Sequence, residues 1–268
     1  MKLASFFSRH PVFTVRELDG FLAQRGTGNR RTRDRLLAYH QEQRHILRVR
    51  RGLYAVVPPG GHPDTCPVDP YLLAARMTDD AVLGYHTALE FHGRAHSAFE
   101  RLFYLSARRS LPAVFRSCQY RCVLFAKALR DRGQENFGVA LVERAGIHVR
   151  VTSLERTLVD VLDRPDLGGG WEEVWRSLES VEFFDPDVVV RYAVLLGNAT
   201  TAAKVGFFLD QHREALMLDD AHLEPLRERL PRSRHYLTRS TGRPGRLVAE
   251  WNLIVPVELL ERSWAVVT

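Results

Sequence analysis

Arginines are concentrated in one stretch of this 268-residue chain, from Asn29 to Tyr54. Four fall within six consecutive positions, Arg30, Arg31, Arg33 and Arg35, and three more lie within four positions near the end of the stretch, Arg48, Arg50 and Arg51. A guanidinium group stays charged and forms paired hydrogen bonds with phosphates and base edges. A helix so rich in arginine is poorly suited to a protein core, so the stretch predicts contact with an anionic partner.

The distribution of charge along the chain supports the same interpretation. The formal net charge is +6, but residues 1–60 hold twelve Lys and Arg against four Asp and Glu, a net charge of +8. The remaining residues hold 26 basic against 28 acidic side chains. Since the positive excess lies entirely in the N-terminal region, it indicates an anionic partner for that region.

The residues before the arginine-rich stretch predict a first helix. Thr14 and Glu17 have the spacing of a capping box, in which each side chain satisfies a backbone donor at the helix end. An apolar face follows, and Gly26 and Gly28 then end the helix. A helix, a short turn containing glycine and a second helix follow the order of a helix-turn-helix.

The second helix is predicted to begin near Arg30. At about 100° per residue, Arg31 and Arg35 lie on the face opposite Leu37. Arg30 and Thr32 lie near the N-terminus, the end that first meets a major groove in helix-turn-helix proteins.

Two alternating segments, Ile46 to Arg50 and Leu53 to Val57, predict paired strands with Arg51-Gly52 at the turn. A basic hairpin after the second helix is typical of a winged helix-turn-helix. The candidate DNA-binding residues are Arg30, Arg31, Thr32, Arg35, Arg48, Arg50 and Arg51. The alternative is a solvated basic helix followed by a hairpin that only packs.

Residues 58–69, PPGGHPDTCPVD, have the composition of a linker. We therefore expect a winged helix-turn-helix domain at 1–60, a linker at 61–69 and a larger mixed α+β C-terminal domain at 70–268. Within the latter, Ala145-Gly146 predicts a hairpin turn, Thr152 and Glu155 predict a second capping box, and Asp185-Pro186 predicts a helix start. Strands, then helices, then strands predict an α+β fold.

Two groups of residues have partial metal-ligand spacing. His86 and Glu90 are four residues apart on a predicted helix with His92 nearby, but a third ligand at defined spacing is missing. Histidines among apolar neighbours are more often packing residues. Cys118 and Cys122 have no partnering Cys or His pair, which favours reduced structural thiols over a zinc site.

A nuclease site would require converging carboxylates. Glu155 and Asp163 share a predicted helix face, whereas Asp160 points elsewhere, and Lys127 is the only lysine of the central region. A capping glutamate and surface aspartates explain the same residues. The glycines at 168–170 are followed by no Lys-Ser/Thr, which excludes a P-loop. We expect no catalytic residue, metal or cofactor.

Several segments together resemble one family. These are the hairpin ending in RRGLY, then GYHTALEFHG, then VTSLERTLVDVLDRPDLGGG and WEEVWRSLE. They are similar to the AbiE-type abortive-infection antitoxins, also described as transcriptional regulators of viral defence systems. The resemblance extends from about Phe13 to about Leu209, and its most specific part is ERTLVD with the glycines that follow.

The resemblance implies a type IV toxin–antitoxin pair. In such a pair the N-terminal domain binds operator DNA with inverted repeats and represses its own operon. The C-terminal domain counteracts a nucleotidyltransferase-like toxin, and the resemblance allows this to occur without a stable complex. Two alternatives remain open: a stand-alone transcriptional regulator, and a DNA-tethered metal-dependent nuclease.

A second basic patch is a candidate near the C-terminus. Arg239, Arg243 and Arg246 flank or lie in the segment RSTGRPGR, which has the composition of a further wing. The alternative is a solvated loop. The sequence has no apolar run long enough to span a membrane and no signal peptide, so we expect a cytoplasmic protein without membrane partners.

Overall fold

The computed structural model describes residues 3–237 and 244–261. Within them the chain forms twelve α-helices and three β-sheets, a mixed α+β fold. The described residues group into two compact units. The first takes in 3–83, 99–124 and 140–151, and the second takes in 84–98, 125–139 and what is described from 152 onwards. Across these described ranges, no helix has the length and apolar character needed to cross a membrane.

The first unit begins with three helices and a small antiparallel sheet. The elements are α1 (Ala4–Phe7), β1 (Val12–Thr14), α2 (Val15–Ala23), α3 (Arg30–Glu42), β2 (Ile46–Arg50) and β3 (Leu53–Val56). The strand order is β1-β3-β2. Side chains from all these elements form one apolar cluster, which contains Leu3, Phe6, Phe13, Leu18, Leu22, Leu37, Ile46 and Tyr54.

Local signals in the sequence explain these boundaries. Thr14 caps α2, because its hydroxyl accepts the Glu17 N–H at 3.2 Å and its own N–H donates to the Glu17 carboxylate at 2.7 Å. The predicted capping box is therefore confirmed. Gly26 follows α2 with φ +68°, a left-handed conformation that glycine adopts without a Cβ clash.

The rest of the first unit is a six-stranded mixed sheet with one short helix. It contains α4 (Pro70–Ala74), β4 (Val82–Leu83), β5 (Arg101–Ser106), β6 (Ala113–Phe115), β7 (Cys118–Leu124), β8 (Val139–Arg144) and β9 (Ile147–Thr152). The strand order is β6-β7-β5-β4-β9-β8. The predicted turn at Ala145-Gly146 is confirmed, because it joins β8 to β9 with φ values of +50° and +75°.

Side-chain contacts connect the N-terminal elements to the segment that joins α4 to β4. Arg76 Nε donates to Glu17 Oε1 at 2.8 Å, and Arg50 donates to the carbonyl oxygen of Met77. Residues 61–69 lie inside the first unit and do not separate it from the second. The independence of residues 1–60 as a domain stays a prediction.

The second unit is mainly helical. It contains α5 (His86–Phe91), α6 (Lys127–Arg130), α7 (Leu154–Asp163), α8 (Trp171–Glu179), α9 (Pro186–Leu196), α10 (Ala199–Gln211), α11 (Asp220–Arg227), β10 (His235–Tyr236), β11 (Gly245–Val248), β12 (Leu253–Pro256) and α12 (Val257–Leu260). The small sheet has the order β10-β12-β11. Trp251 is fully buried and packs on α10 at Gly206, where any Cβ would meet the indole ring within 2.0 Å.

Two helix starts test the predictions made for this region. The Asp185-Pro186 start is confirmed, since Asp185 Oδ1 accepts the Asp187 N–H at 3.0 Å. The capping box at Thr152 and Glu155 is wrong. Ser153 caps α7 instead, because Thr152 ends β9 and its buried hydroxyl lies 2.7 Å from that of Thr157.

Candidate nucleic-acid interface

The helix α3 is anchored by one face and exposed on the other. It begins at Arg30 because Asn29 caps it, its Oδ1 accepting the Thr32 N–H at 2.8 Å. Leu37 is 7 % exposed and belongs to the apolar cluster of the first unit. Arg31 and Arg35 are exposed on the opposite face, as helical spacing leads one to expect.

The first turns of α3 contain one arginine that serves the fold. Arg33 donates to Asp19 Oδ2 and Asp34 Oδ1, both at 2.8 Å, and its side chain is only 16 % exposed. Its pKa is raised, first by the hydrogen bond to Asp34 and then by that to Asp19. Arg33 therefore joins α3 to α2 and is not available to a ligand.

The remaining arginines of α3 keep their charge free for an external partner. Arg30 is 85 % exposed on its side chain, with Nε 3.7 Å from Asp34 Oδ2, a distance at which an exposed pair contributes little. Arg31 and Arg35 form no ion pair or side-chain hydrogen bond in the described part of the chain. A shallow, open concavity lies between these side chains and Ala38. Asp34 also lines it, but three guanidinium groups outnumber this one carboxylate, so the exposed face of α3 is positively charged.

The hairpin β2–β3 presents two further free arginines. In the register of β2 and β3, Arg48 lies opposite Tyr54 and Arg50 lies opposite Leu53, so β2 contains a bulge between Arg48 and Arg50. Arg51-Gly52 forms the turn, where Gly52 has φ +84°. Arg48 and Arg51 are exposed, and neither has an ion pair or side-chain hydrogen bond within the described ranges.

Arg50, in contrast, is engaged inside the first unit. Its guanidinium donates to the carbonyl oxygen of Met77 and to Ser110 Oγ, the latter at 3.3 Å. Both partners lie far from Arg50 in the chain, so no sequence pattern could have indicated them. Of the three arginines predicted to contact DNA from the hairpin, the structure leaves Arg48 and Arg51 free and gives Arg50 a supporting role.

Two histidines lie at the other end of α3. His40 Nδ1 and His45 Nδ1 are 3.1 Å apart. Burial lowers the pKa of His40, and the neighbouring His45 lowers it further. The imidazole of His40 is therefore less readily protonated than that of an ordinary histidine.

His86 and Glu90, weighed above as partial metal ligands, belong to a buried group in the second unit. His86 is fully buried, with Nδ1 3.3 Å from Glu90 Oε1 and Nε2 3.1 Å from Glu173 Oε1. His92 Nε2 lies 2.8 Å from the carbonyl oxygen of Thr152. Among residues 3–237 and 244–261, no three His, Cys, Asp or Glu side chains are placed to hold a metal ion.

The three carboxylates of α7 do not converge. Asp160, expected at the surface, is 6 % exposed, and its Oδ1 accepts the Tyr192 hydroxyl at 2.7 Å. Asp163 accepts hydrogen bonds from the Thr201 hydroxyl and from Asn198 Nδ2, the latter at 3.2 Å. The surface position predicted for Asp160 is wrong, because Arg156 and Tyr192 provide the partners that burial requires.

The second basic patch is only partly described. Arg239 and Arg243 lie outside the described residues, whereas Arg246 is exposed on β11. Arg227, in the same arginine-rich segment, is paired with Glu250 at 2.6 Å and Asp220 at 3.1 Å. Its charge is therefore neutralised by Asp220 of the same helix and by the more distant Glu250.

Comparison with known proteins identifies the fold but no function. No model of a protein family matches the chain, and no curated protein matches it. Among solved structures, the crystal structure of the RV2827C protein from Mycobacterium tuberculosis is similar, with a TM-score of 0.64 and 18 % sequence identity. The match covers 98 % of this chain and 93 % of that one. At this identity the similarity concerns the fold alone.

Proposed function

We propose that this chain is a sequence-specific DNA-binding repressor, with α2 and α3 as the helix-turn-helix and β2–β3 as the wing. The observation that carries the proposal is the charge of α3. Arg31 and Arg35 project from the face opposite the buried Leu37, without an intramolecular partner in the described residues. Free guanidinium groups on an exposed helix are suited to base edges and phosphates in a major groove.

The order of elements supports the proposal. Three helices and three strands follow one another in the order α1-β1-α2-α3-β2-β3, and the strands form one antiparallel sheet. This is the order expected of a winged helix. The contacting set is then Arg30, Arg31, Thr32 and Arg35 on the helix and Arg48 and Arg51 on the wing. Arg50 stabilises the wing through hydrogen bonds to the Met77 carbonyl oxygen and to Ser110 Oγ.

We propose further that the repressor is the antitoxin of a type IV pair, acting against a nucleotidyltransferase-like toxin. This part rests on the resemblance of GYHTALEFHG and VTSLERTLVDVLDRPDLGGG to the AbiE-type antitoxins. The operator is then expected in the chain's own promoter as inverted repeats, and the toxin is expected from the same operon.

The DNA-binding proposal is tested by titrating the full-length protein against a duplex from its own upstream region. A scrambled duplex of the same length and composition is the control. The specific duplex should bind tighter by a factor of about 10³ or more at physiological salt. Equal affinity for both duplexes would contradict the repressor assignment.

The antitoxin proposal is tested in cells by co-expression with a nucleotidyltransferase-like protein encoded next to the chain. Growth should be restored by the wild type and also by Arg31→Ala/Arg35→Ala, because those residues serve DNA and not the toxin. If growth is not restored although the operator is bound, the chain is a stand-alone regulator.

A further inference from the structure

A second pair of arginines lies beside the wing, in the loop between β5 and β6. The loop at residues 107–112 has the sequence ARRSLP. Arg108 and Arg109 are both exposed, and neither guanidinium has a hydrogen bond or ion pair within the described ranges. The sequence alone did not single them out, because two adjacent arginines in a polar loop are common.

The loop is held in place by hydrogen bonds with Asp80, which precedes β4, and with residues of β5 and β7. Asp80 Oδ2 accepts the Ala107 N–H at 2.6 Å, and its Oδ1 accepts the Ser106 hydroxyl at 2.7 Å. Ser106 Oγ in turn accepts the Arg108 N–H at 3.2 Å. On the other side, Cys122 Sγ donates to the Arg108 carbonyl oxygen at 3.4 Å. A backbone fixed in this way loses little further freedom when its side chains bind a ligand.

The loop also contacts the wing directly. Arg50 donates to Ser110 Oγ at 3.3 Å. Arg51, at the wing turn, follows Arg50 in the chain, and Arg109 precedes Ser110. Consecutive Cα atoms are only about 3.8 Å apart. Arg51 of the wing and Arg109 of the loop therefore each adjoin a residue of the Arg50–Ser110 hydrogen bond.

We propose that this loop is a further part of the DNA-binding surface, in which Arg108 and Arg109 contact phosphates adjoining those that the wing contacts. The inference rests on the proposed function and extends its footprint from the helix-turn-helix to the six-stranded sheet. The partner is the duplex backbone, because two guanidinium groups on a rigid loop position a duplex without reading its bases. In this proposal the hydrogen bond from Arg50 to Ser110 fixes the loop against the wing.

The test compares Arg108→Ala/Arg109→Ala with the wild type on the upstream duplex over a range of salt concentrations. Each lost phosphate contact flattens the dependence of log K on log salt by about 0.9. The variant should therefore show a slope flatter by about 1.8 and weaker binding of specific and scrambled duplexes alike. Arg108→Lys/Arg109→Lys should recover most of the slope, since lysine keeps the charge.

The matched control for each single loop variant, Arg108→Ala or Arg109→Ala, is Arg101→Ala, which removes one charge from an exposed position at the start of β5. Arg101 lies six residues before Ala107, where the loop begins, which is about 20 Å at 3.3 Å per residue. The control should keep the wild-type slope. Equal slopes for wild type and loop variant, with binding still lost in Arg31→Ala/Arg35→Ala, would overturn this inference alone. Absence of duplex binding by the wild type would overturn the proposed function as well.

Discussion

Replacing Arg156 by methionine would remove a buried cation that several groups of the second unit share. Arg156 is 1 % exposed. Its Nη1 donates to the carbonyl oxygens of Glu135 and Phe137 at 2.7 and 2.6 Å, and its Nε lies 3.4 Å from Asp160 Oδ2. Methionine fills a similar volume but donates nothing, so Asp160 and two carbonyl oxygens would lose this donor.

The expected loss of stability follows from these contacts. Removing one partner of a buried ion pair costs about 3–5 kcal/mol. A buried carbonyl that loses its donor costs about 1–3 kcal/mol. Because one guanidinium serves all three groups, the terms overlap, and we expect a loss of about 4–6 kcal/mol. For a chain of this size that lowers Tm by about 10–20 °C.

The pH dependence distinguishes the ion pair from packing. Burial raises the pKa of Asp160, and Arg156 opposes that rise. Without Arg156 the pKa of Asp160 rises further. In the folded variant Asp160 therefore takes up a proton at a higher pH than in the folded wild type or in the unfolded chain. Its deficit relative to the wild type should therefore shrink as the pH falls from 7 towards 5.

Urea unfolding at several pH values measures these differences. The double variant Arg156→Met/Asp160→Asn removes the unpaired charge and should regain about 1–3 kcal/mol. The control is Arg191→Met, an exposed arginine in the same unit, which should stay within about 0.5 kcal/mol of wild type. A deficit below about 1 kcal/mol for Arg156→Met, or no recovery in the double variant, would refute this reasoning.

Three further predictions concern the first unit. Arg48→Ala/Arg51→Ala should flatten the salt dependence of duplex binding by about 1.8 and weaken the binding of all duplex sequences alike; an unchanged slope would give the β2–β3 hairpin a purely structural role. Arg50→Ala should instead lower the free energy of unfolding by about 1–3 kcal/mol, measured by urea titration, and unaltered stability would contradict its supporting role. Asp80→Asn should destabilise the unit at neutral pH. Burial raises the pKa of Asp80, but hydrogen bonds from Ala107 and other donors lower it below its ordinary value. The contribution of the carboxylate is therefore complete above about pH 4 and lost as the pH falls through the folded-state pKa. A deficit that stays constant down to pH 3 would exclude this origin.

Local signals predicted much of the fold. The capping box at Thr14, the turn at Ala145-Gly146 and the helix start at Asp185-Pro186 each depend on residues within a few positions of one another, and all three are present. The order of helices and strands around α3 could be predicted for the same reason. Such helix starts and turns are determined by short-range hydrogen bonds and by backbone conformations that particular residues favour.

Long-range partners could not be predicted. Arg50 and Arg51 are adjacent and identical, yet Arg50 is bound to Met77 and Ser110 whereas Arg51 is free. Asp160 was expected at the surface, but Tyr192, 32 residues later, provides the donor that permits its burial. The sequence pattern indicates which face of a helix is apolar, but not which distant group will neutralise a charge on it.

The central claim is that α3 reads operator DNA through Arg31 and Arg35. The most direct measurement is the affinity of Arg31→Ala/Arg35→Ala for the upstream duplex, beside wild type and the control Arg101→Ala, with equal folding verified by urea unfolding. If each arginine contributes about 1–3 kcal/mol, the double variant should bind about 30-fold or more weakly and lose its preference over the scrambled duplex. The control should bind as the wild type does. Operator affinity and sequence preference left intact in the folded Arg31→Ala/Arg35→Ala variant would contradict the account.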